Sequence, residues 1–254
     1  MHLRVLWFLA VLLGLALAQR IGVIGDWGAD SPHRPQIAQA LREEHQKEAL
    51  EALLTLGDNF YPRGEPVQRF VDELPRVKIY PAFGNHDVPV LEQQLRLFGV
   101  EQPYYTVRLG EVEVFVVYSE AFTPQQRAWL ESALKTSQAP WKVVALHRPL
   151  YSSGFHGGNR SLRQSLEPLL LRYRVRLVLA GHEHEYERLE ARGIVHLVAG
   201  GGGAYLRDFR TIVPESKVRK VSPNFLVLEA TLEKLTVTAY DQRGGVLDRV
   251  EIRR

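Results

Sequence analysis

The chain has 254 residues, 45% of them hydrophobic and 24% charged. That composition excludes a disordered chain and fits a globular protein long enough to bury a sizeable core. Basic and acidic residues nearly balance, 32 against 29, leaving a formal charge of +3. With no basic stripe carrying interleaved aromatics, a nucleic-acid partner is not expected. Cysteine is absent, which excludes a disulfide framework, a thiolate zinc site, an iron–sulfur cluster and a thiol nucleophile. Any metal must be held by His, Asp, Glu, Asn or Tyr.

Residues 1–18 have the form of an address. Arg4 precedes an uncharged run from Val5 to Gln19, and Ala16-Leu17-Ala18 supplies a small-x-small pattern. This predicts a secretory signal peptide cleaved after Ala18, with residues 19–254 as the catalytic domain and a secreted or periplasmic location. The run falls short of the ~20 residues that a spanning helix needs, so no stable membrane anchor is expected. An uncleaved N-terminal anchor is the alternative.

Strands and helices then alternate. Residues 20–24 form a short apolar run stopped by Gly25-Asp26 and read as a buried strand. Residues 35–50 carry Ile37, Leu41 and Leu50 at helical spacing, with charges between. Residues 52–56 and 77–83 are further strands, ending at Gly57-Asp58 and Gly84-Asn85. A helix is predicted over about 89–98. Residues 104–107 and 112–118 read as a hairpin about Leu109-Gly110-Glu111. Thr123 is an N-cap with Pro124 at the first helical position. A strand over 141–146 ends at His147. A helix near 161–172 leads to a strand over 176–180 ending at Gly181-His182. The last third alternates at period two, as in Leu235, Val237 and Ala239, which predicts antiparallel strands. With no repeat or shift in composition, the pattern predicts one α/β domain.

Five strands end alike: Gly25-Asp26-Trp27-Gly28, Gly57-Asp58-Asn59-Phe60-Tyr61, Gly84-Asn85-His86-Asp87, Val144-Ala145-Leu146-His147 and Gly181-His182-Glu183-His184. Ligands of α/β sheets bind beyond the carboxyl ends of strands. These ends deliver two Asp, one Tyr, one Asn and three His, with His86 beside the Asn. Two cations ~3.5–4 Å apart repel strongly, so anionic donors must surround and bridge them. Asp58 is the best bridging candidate because a carboxylate offers two oxygens. His182 and His184, at i and i+2 of an extended segment, share a side with Cα atoms ~6.8 Å apart, which suits one histidine per metal. Singly, most of these segments are ordinary strand-to-turn junctions; their joint occurrence in order points to a metal site.

Other residues take other readings. His156 lies in a polar, glycine-rich loop directly after His147 and is a candidate substrate contact. Arg148 is a candidate phosphate contact whose direction Pro149 leaves open. The run Gly200-Gly201-Gly202-Gly203 is expected to let backbone approach the metals closely. His33 and His45 are expected to be solvated, His196 to be a core or edge histidine, and residues 217–220 to form a solvated basic loop.

Together the five segments resemble the signature of the calcineurin-like metallophosphoesterases. More narrowly they resemble the purple acid phosphatases, whose pattern is GDxG, GDxxY, GNH(D/E), VxxH and GHxH; the tyrosine of GDxxY sets the purple enzymes apart. The chain resembles their small single-domain form. The resemblance implies two mixed β-sheets packed face to face with helices on both outer sides. It implies one metal, a ferric ion with a coloured tyrosinate, held by Asp26, Asp58, Tyr61 and His184. A second metal, iron, zinc or manganese, would be held by Asp58, Asn85, His147 and His182. His86 resembles the histidine that contacts substrate and helps the leaving group depart, Asp87 would orient it, and Asn85 would also face substrate. The implied activity is hydrolysis of small phosphate monoesters by attack of a metal-bound hydroxide. A phosphodiesterase or nucleotide hydrolase on the same dinuclear core is the alternative, as is a metal-binding protein without turnover. The oligomeric state is not indicated.

Overall fold

The structure, a computed structural model, describes residues 18–254. The candidate signal peptide, all but Ala18, lies outside the described residues. In chain order the elements are β1 (Gln19–Ile24), α1 (His33–Lys47), β2 (Ala52–Leu56), α2 (Gln68–Asp72), β3 (Lys78–Ala82), α3 (Leu91–Phe98), β4 (Tyr105–Leu109), β5 (Val112–Val116), α4 (Pro124–Thr136), β6 (Trp141–Leu146), α5 (Arg160–Arg172), β7 (Leu177–Ala180), β8 (Tyr186–Ala191), β9 (Ile194–Ala199), β10 (Ser216–Lys220), β11 (Phe225–Ala230), β12 (Lys234–Tyr240) and β13 (Val246–Arg253). Six strands form one sheet in the order β13-β12-β11-β1-β2-β3, and seven form a second in the order β10-β8-β9-β7-β6-β5-β4.

The layers follow from where each strand sends its alternate side chains. In β1, Ile21 and Val23 enter one core while Ile24 enters another. The first core lies between the sheets, where Leu54, Leu56, Leu226 and Leu228 meet Val114, Val143, Leu177 and Leu179. The second covers the outer face of the six-stranded sheet with Ile37 and Leu41 of α1 and Leu95 and Phe98 of α3. The third covers the outer face of the seven-stranded sheet with Leu130 and Leu134 of α4 and Leu162, Leu166 and Leu170 of α5. Strands buried on both faces read as continuous apolar runs, and β2, β6 and β7 within the parallel blocks are of that kind. This is the expected sandwich of two mixed sheets between outer helices.

Local signals explain several boundaries. The Thr123 side chain accepts from the Gln126 N–H at 3.2 Å and starts α4, as expected. Asn159 caps α5 in the same way. Two readings change. The last third is antiparallel except that β9 lies parallel beside β7, because Ile194–Ala199 is apolar enough to be buried on both faces. Residues 217–220 are not a loop but lie in β10, an edge strand of the larger sheet. Lysine and arginine on an edge strand keep its free side from pairing with another chain.

His196 is a core histidine. It is 3% exposed, packs against Tyr151 at 5.0 Å, and neither ring nitrogen has a hydrogen-bond partner among the described residues. Burial pushes its pKa from 6.5 down to about 4. Between those values the unfolded chain binds a proton that the folded chain refuses, so stability falls as the pH drops through that window. The loss amounts to about 3 kcal/mol by the lower limit. His196→Leu is expected to remove this part of the pH dependence in urea unfolding between pH 7 and pH 4.5. An unchanged slope would count against the buried neutral imidazole.

Candidate metal centre

The five segments converge. β1, β2 and β3 are parallel neighbours in one sheet, and β6 and β7 in the other. Their carboxyl ends meet at one end of the sandwich, bringing Asp26, Asp58 and Asn85 opposite His147, His182 and His184. Three of these residues hold left-handed backbone: Asp26 at φ 53°, Asp58 at 49° and His182 at 70°. A non-glycine residue adopts that region only at a cost that its surroundings must offset. Here the offset is visible. Asp26 donates its N–H to the Gly57 carbonyl at 3.0 Å, and the Asp26 carboxylate accepts the His182 N–H at 2.9 Å. Asp58 Oδ1 accepts the His86 N–H at 2.9 Å. Close approach requires glycine nearby: a Cβ at Gly84 would stand 2.2 Å from Asp58 Oδ1, and one at Gly200 would stand 2.7 Å from Asp26 Oδ2. The glycine run at 200–203 thus permits the expected backbone approach.

The donor atoms fall into two groups that share Asp58. In the first, the Tyr61 hydroxyl lies 3.1 Å from Asp26 Oδ1, 3.0 Å from Asp58 Oδ2 and 3.2 Å from His184 Nε2. His184 Nε2 is also 3.4 Å from Asp26 Oδ1. In the second, His147 Nε2 lies 3.4 Å from Asp58 Oδ1, 3.2 Å from Asn85 Oδ1 and 3.2 Å from His182 Nδ1. A phenol has one proton and a neutral imidazole one N–H, so neither centre can satisfy three neighbours by hydrogen bonding. A shared cation can. Donors about 2.1 Å from one metal stand roughly 3.0–3.4 Å from each other in octahedral or tetrahedral geometry. Both groups have that spacing, so the residues fit a cation pair with Asp58 between.

The histidines are already oriented. His147 Nδ1 faces the Leu56 carbonyl at 2.9 Å and His184 Nδ1 faces the Tyr205 carbonyl at 2.8 Å. A carbonyl only accepts, so each Nδ1 carries a proton and each Nε2 points inward, where a cation would take its lone pair in place of any second proton. Asp26, Asp58 and His147 are no more than 1% exposed. In the protein alone, burial lowers the His147 imidazole but Asp58 outweighs it and raises it to about 10. Burial raises the Asp58 carboxyl, but the charged His147 ring and the His86 N–H outweigh it and hold it well below the usual carboxylate range. Burial and then Asp26 and Asp58 push the Tyr61 phenol up. Burial, His147 and Arg148 push His182 down to about 2. A buried set of two carboxylates, a phenol and lone-pair nitrogens attracts a cation strongly and repels further anions until one binds.

Around this core the remaining candidates take different places. His86 stands 34% exposed over the Tyr61 ring at 4.3 Å, with Nδ1 2.6 Å from the Pro62 carbonyl and Nε2 3.9 Å from Asp58 Oδ2. Asp87 makes no hydrogen bond to the His86 ring, which corrects the expectation that it orients that ring directly. The Asp87 carboxylate turns inward, fully buried, and accepts from the Gly84 N–H, the Asn59 N–H and the Gln94 amide at 2.8–2.9 Å. Burial and the Asp58 charge raise it to about 7. The Pro62 carbonyl takes the orienting place. His156 stacks on the His182 ring at 4.5 Å, at the mouth. Arg148 points toward Asn85 and His182.

Two features escaped the sequence reading. Glu183, Glu185 and Glu187 alternate with His182, His184 and Tyr186, and all three are 0% exposed behind the site. Burial raises Glu183 to about 7 and, with its acidic neighbours, Glu185 to about 9. The period-two spacing in Gly-His-Glu-His-Glu-Tyr-Glu was the available signal. The second is Asn59, which ties Trp27, Thr55, the Ala82 carbonyl, Asp87 and Gln94 into one buried network. Asn59→Ala leaves several of these groups unpaired, and the expected loss is about 3–5 kcal/mol in chemical unfolding. A loss under about 1 kcal/mol would mean that water replaces the amide.

Comparison with known proteins agrees with the geometry. A family model for calcineurin-like phosphoesterase matches residues 19–186. Purple acid phosphatase 3 of Arabidopsis thaliana is 26% identical over 89% of this chain and 75% of its own length. Human tartrate-resistant acid phosphatase type 5 is 25% identical over 95% of this chain and 93% of its own. GAP50, described as the anchor in the inner membrane complex of Plasmodium, matches in structure with a TM-score of 0.82 at 18% identity, covering 93% of this chain and 89% of that one. A purple acid phosphatase from yellow lupin seeds matches with a TM-score of 0.80 at 21% identity, covering 93% of this chain and 54% of that one. At such identities these two likenesses show the fold. With its family model spanning most of the molecule and its curated relatives among the acid phosphatases, the chain belongs to the calcineurin-like phosphoesterase family and is a metal-dependent hydrolase of phosphoric esters.

Proposed function

We propose that this protein is an exported phosphatase of the purple acid type, hydrolysing small phosphate monoesters with two cations at the described centre. The observation that carries this reading is the Tyr61 oxygen, set 3.0–3.2 Å from Asp58, Asp26 and His184. Phenolate and carboxylates are hard anionic donors that suit a ferric ion, so Asp26, Asp58, Tyr61 and His184 are its ligands in this reading. Asp58, Asn85, His147 and His182 add two imidazoles and an amide oxygen, which suit iron, zinc or manganese. When bound, such a pair supplies Lewis acidity at the phosphoryl group and an acidified water as nucleophile.

The chain's own residues do the rest. With His86 Nδ1 committed to the Pro62 carbonyl at 2.6 Å, Nε2 is the ring atom left to offer a proton. That atom faces the donor cluster from the solvent side, where it protonates the departing oxygen and is recharged from water. Asn85 turns its oxygen to His147 and keeps its amide N–H groups for a phosphoryl oxygen. His156 closes the mouth over His182. A cleft of about 480 Å³, with Pro62, Ala204, Tyr205 and Leu206 among its walls, opens onto Tyr61, His86 and His184 and has room for a small leaving group. Asp87 acts at a distance, by holding the segment that presents His86.

Export rests on Arg4, the uncharged run behind it and Ala16-Leu17-Ala18. Among the described residues no helix is long and apolar enough to cross a membrane.

Iron-loaded protein is expected to absorb visible light and to lose that band in Tyr61→Phe. Asp58→Asn is expected to lower the occupancy of both cations in metal analysis. A persistent band, or two retained cations, would refute the respective ligand assignment. His86→Ala is expected to lower kcat by about 10²–10⁴-fold, and more on alkyl than on p-nitrophenyl phosphate, because the poorer leaving group depends more on the proton. An equal loss on both would remove His86 as the acid.

A further inference from the structure

Arg148 follows His147 at the end of β6 and is held from behind. Its N–H donates to Ser119 Oγ at 3.0 Å, and its Nε reaches both oxygens of Glu120 at 2.9 Å. The Glu120 side chain is 9% exposed, so this ion pair is shielded on one side. With Nε committed, the planar guanidinium aims its two ends at the centre: Nη1 lies 3.0 Å from His182 Nε2 and Nη2 lies 3.3 Å from Asn85 Oδ1.

A neutral imidazole has one lone pair. When His182 coordinates through Nδ1, the atom that faces His147, its Nε2 carries the proton and no longer accepts from Arg148. Nη1 is then left beside the centre with a donor to spend, and the Glu120 pair keeps it from swinging out to solvent. The guanidinium fork matches two oxygens of a phosphoryl group.

On the reading of this site as a phosphomonoesterase, we propose that Arg148 binds the phosphoryl group of the substrate and selects dianionic monoesters over diesters. A monoester brings three terminal oxygens and two charges, so two cations and a guanidinium each find a partner. A diester brings two terminal oxygens and one charge, and the guanidinium is left with an ether oxygen. Glu120 and Ser119 are positioning residues that set the direction of the fork.

The test compares metal-loaded wild type, Arg148→Ala and Arg148→Lys on p-nitrophenyl phosphate and its bis ester, with inorganic phosphate as inhibitor. Loss of a charge-assisted pair is expected to lower kcat/KM on the monoester by about 10–100-fold and to raise the phosphate inhibition constant by about tenfold. The diester should lose less than about threefold, on the same argument. Arg148→Lys should fall between, since it keeps the charge and loses the fork, and both variants should retain the wild-type metal content. Equal losses on the two esters, an unchanged phosphate constant, or a reduced metal content that assigns Arg148 to holding His182 would each overturn the proposal. Phosphate titrated calorimetrically into the same metal-loaded proteins separates the two readings. If wild type turns over neither ester yet binds phosphate more tightly than Arg148→Ala, the phosphate contact stands and the monoesterase reading fails; equal phosphate binding refutes the contact whether or not turnover occurs.

Discussion

The Asp58 carboxylate is the point on which the centre depends. One oxygen faces the Tyr61 phenol and the other faces His147, so a single side chain links two donor groups, each of which draws on both sheets. Neither sheet holds a complete donor set. The inter-sheet core brings the two halves to the right separation, and the separation makes the cluster hungry for positive charge. Packing and chemistry are thereby coupled: apolar residues such as Leu54 and Leu179, whose side chains lie in the core between the sheets, set the spacing on which coordination depends.

The backbone at the centre is held away from its relaxed conformations. Three residues in left-handed geometry let the chain leave a strand and turn a side chain back toward the opposite sheet within two residues. That geometry is held by hydrogen bonds that run between segments, so each strained residue is supported by another strand's loop. Folding and site assembly are therefore one event in this region, and the strain is stored where function needs rigid aim.

Much of this was legible from residue order. The strand ends carrying Asp26, Asp58, Asn85, His147, His182 and His184 stand out because a glycine and a polar residue terminate an apolar run, and an apolar run of four to six residues predicts a strand well. Thr123-Pro124 marked its helix because capping is a local interaction. The rest depended on partners far along the chain. Nothing near Asp87 says that it faces Asn59 and Gln94 and not His86, and nothing near Arg148 names Glu120 as its anchor. Alternation reports faces and not direction, so the parallel pairing of β9 with β7 is not legible in it. The basic stretch at 217–220 reads as a loop because charge masks a strand that is only half paired.

Along the segment from His182 to Glu187 the imidazoles turn to the donor cluster, while the carboxylates of Glu183, Glu185 and Glu187 pack against Ser152, Ser153 and Gly154. Period two makes such a tape unforgiving. A slip of one position would exchange the faces, sending Glu183 and Glu185 to the donor cluster and burying His182 and His184 in their place. Insertions or deletions of one residue here should be lethal to the centre, whereas the exposed turn at Gly244 has room for them. The length of this short stretch is thus under tighter constraint than the identity of most residues around it.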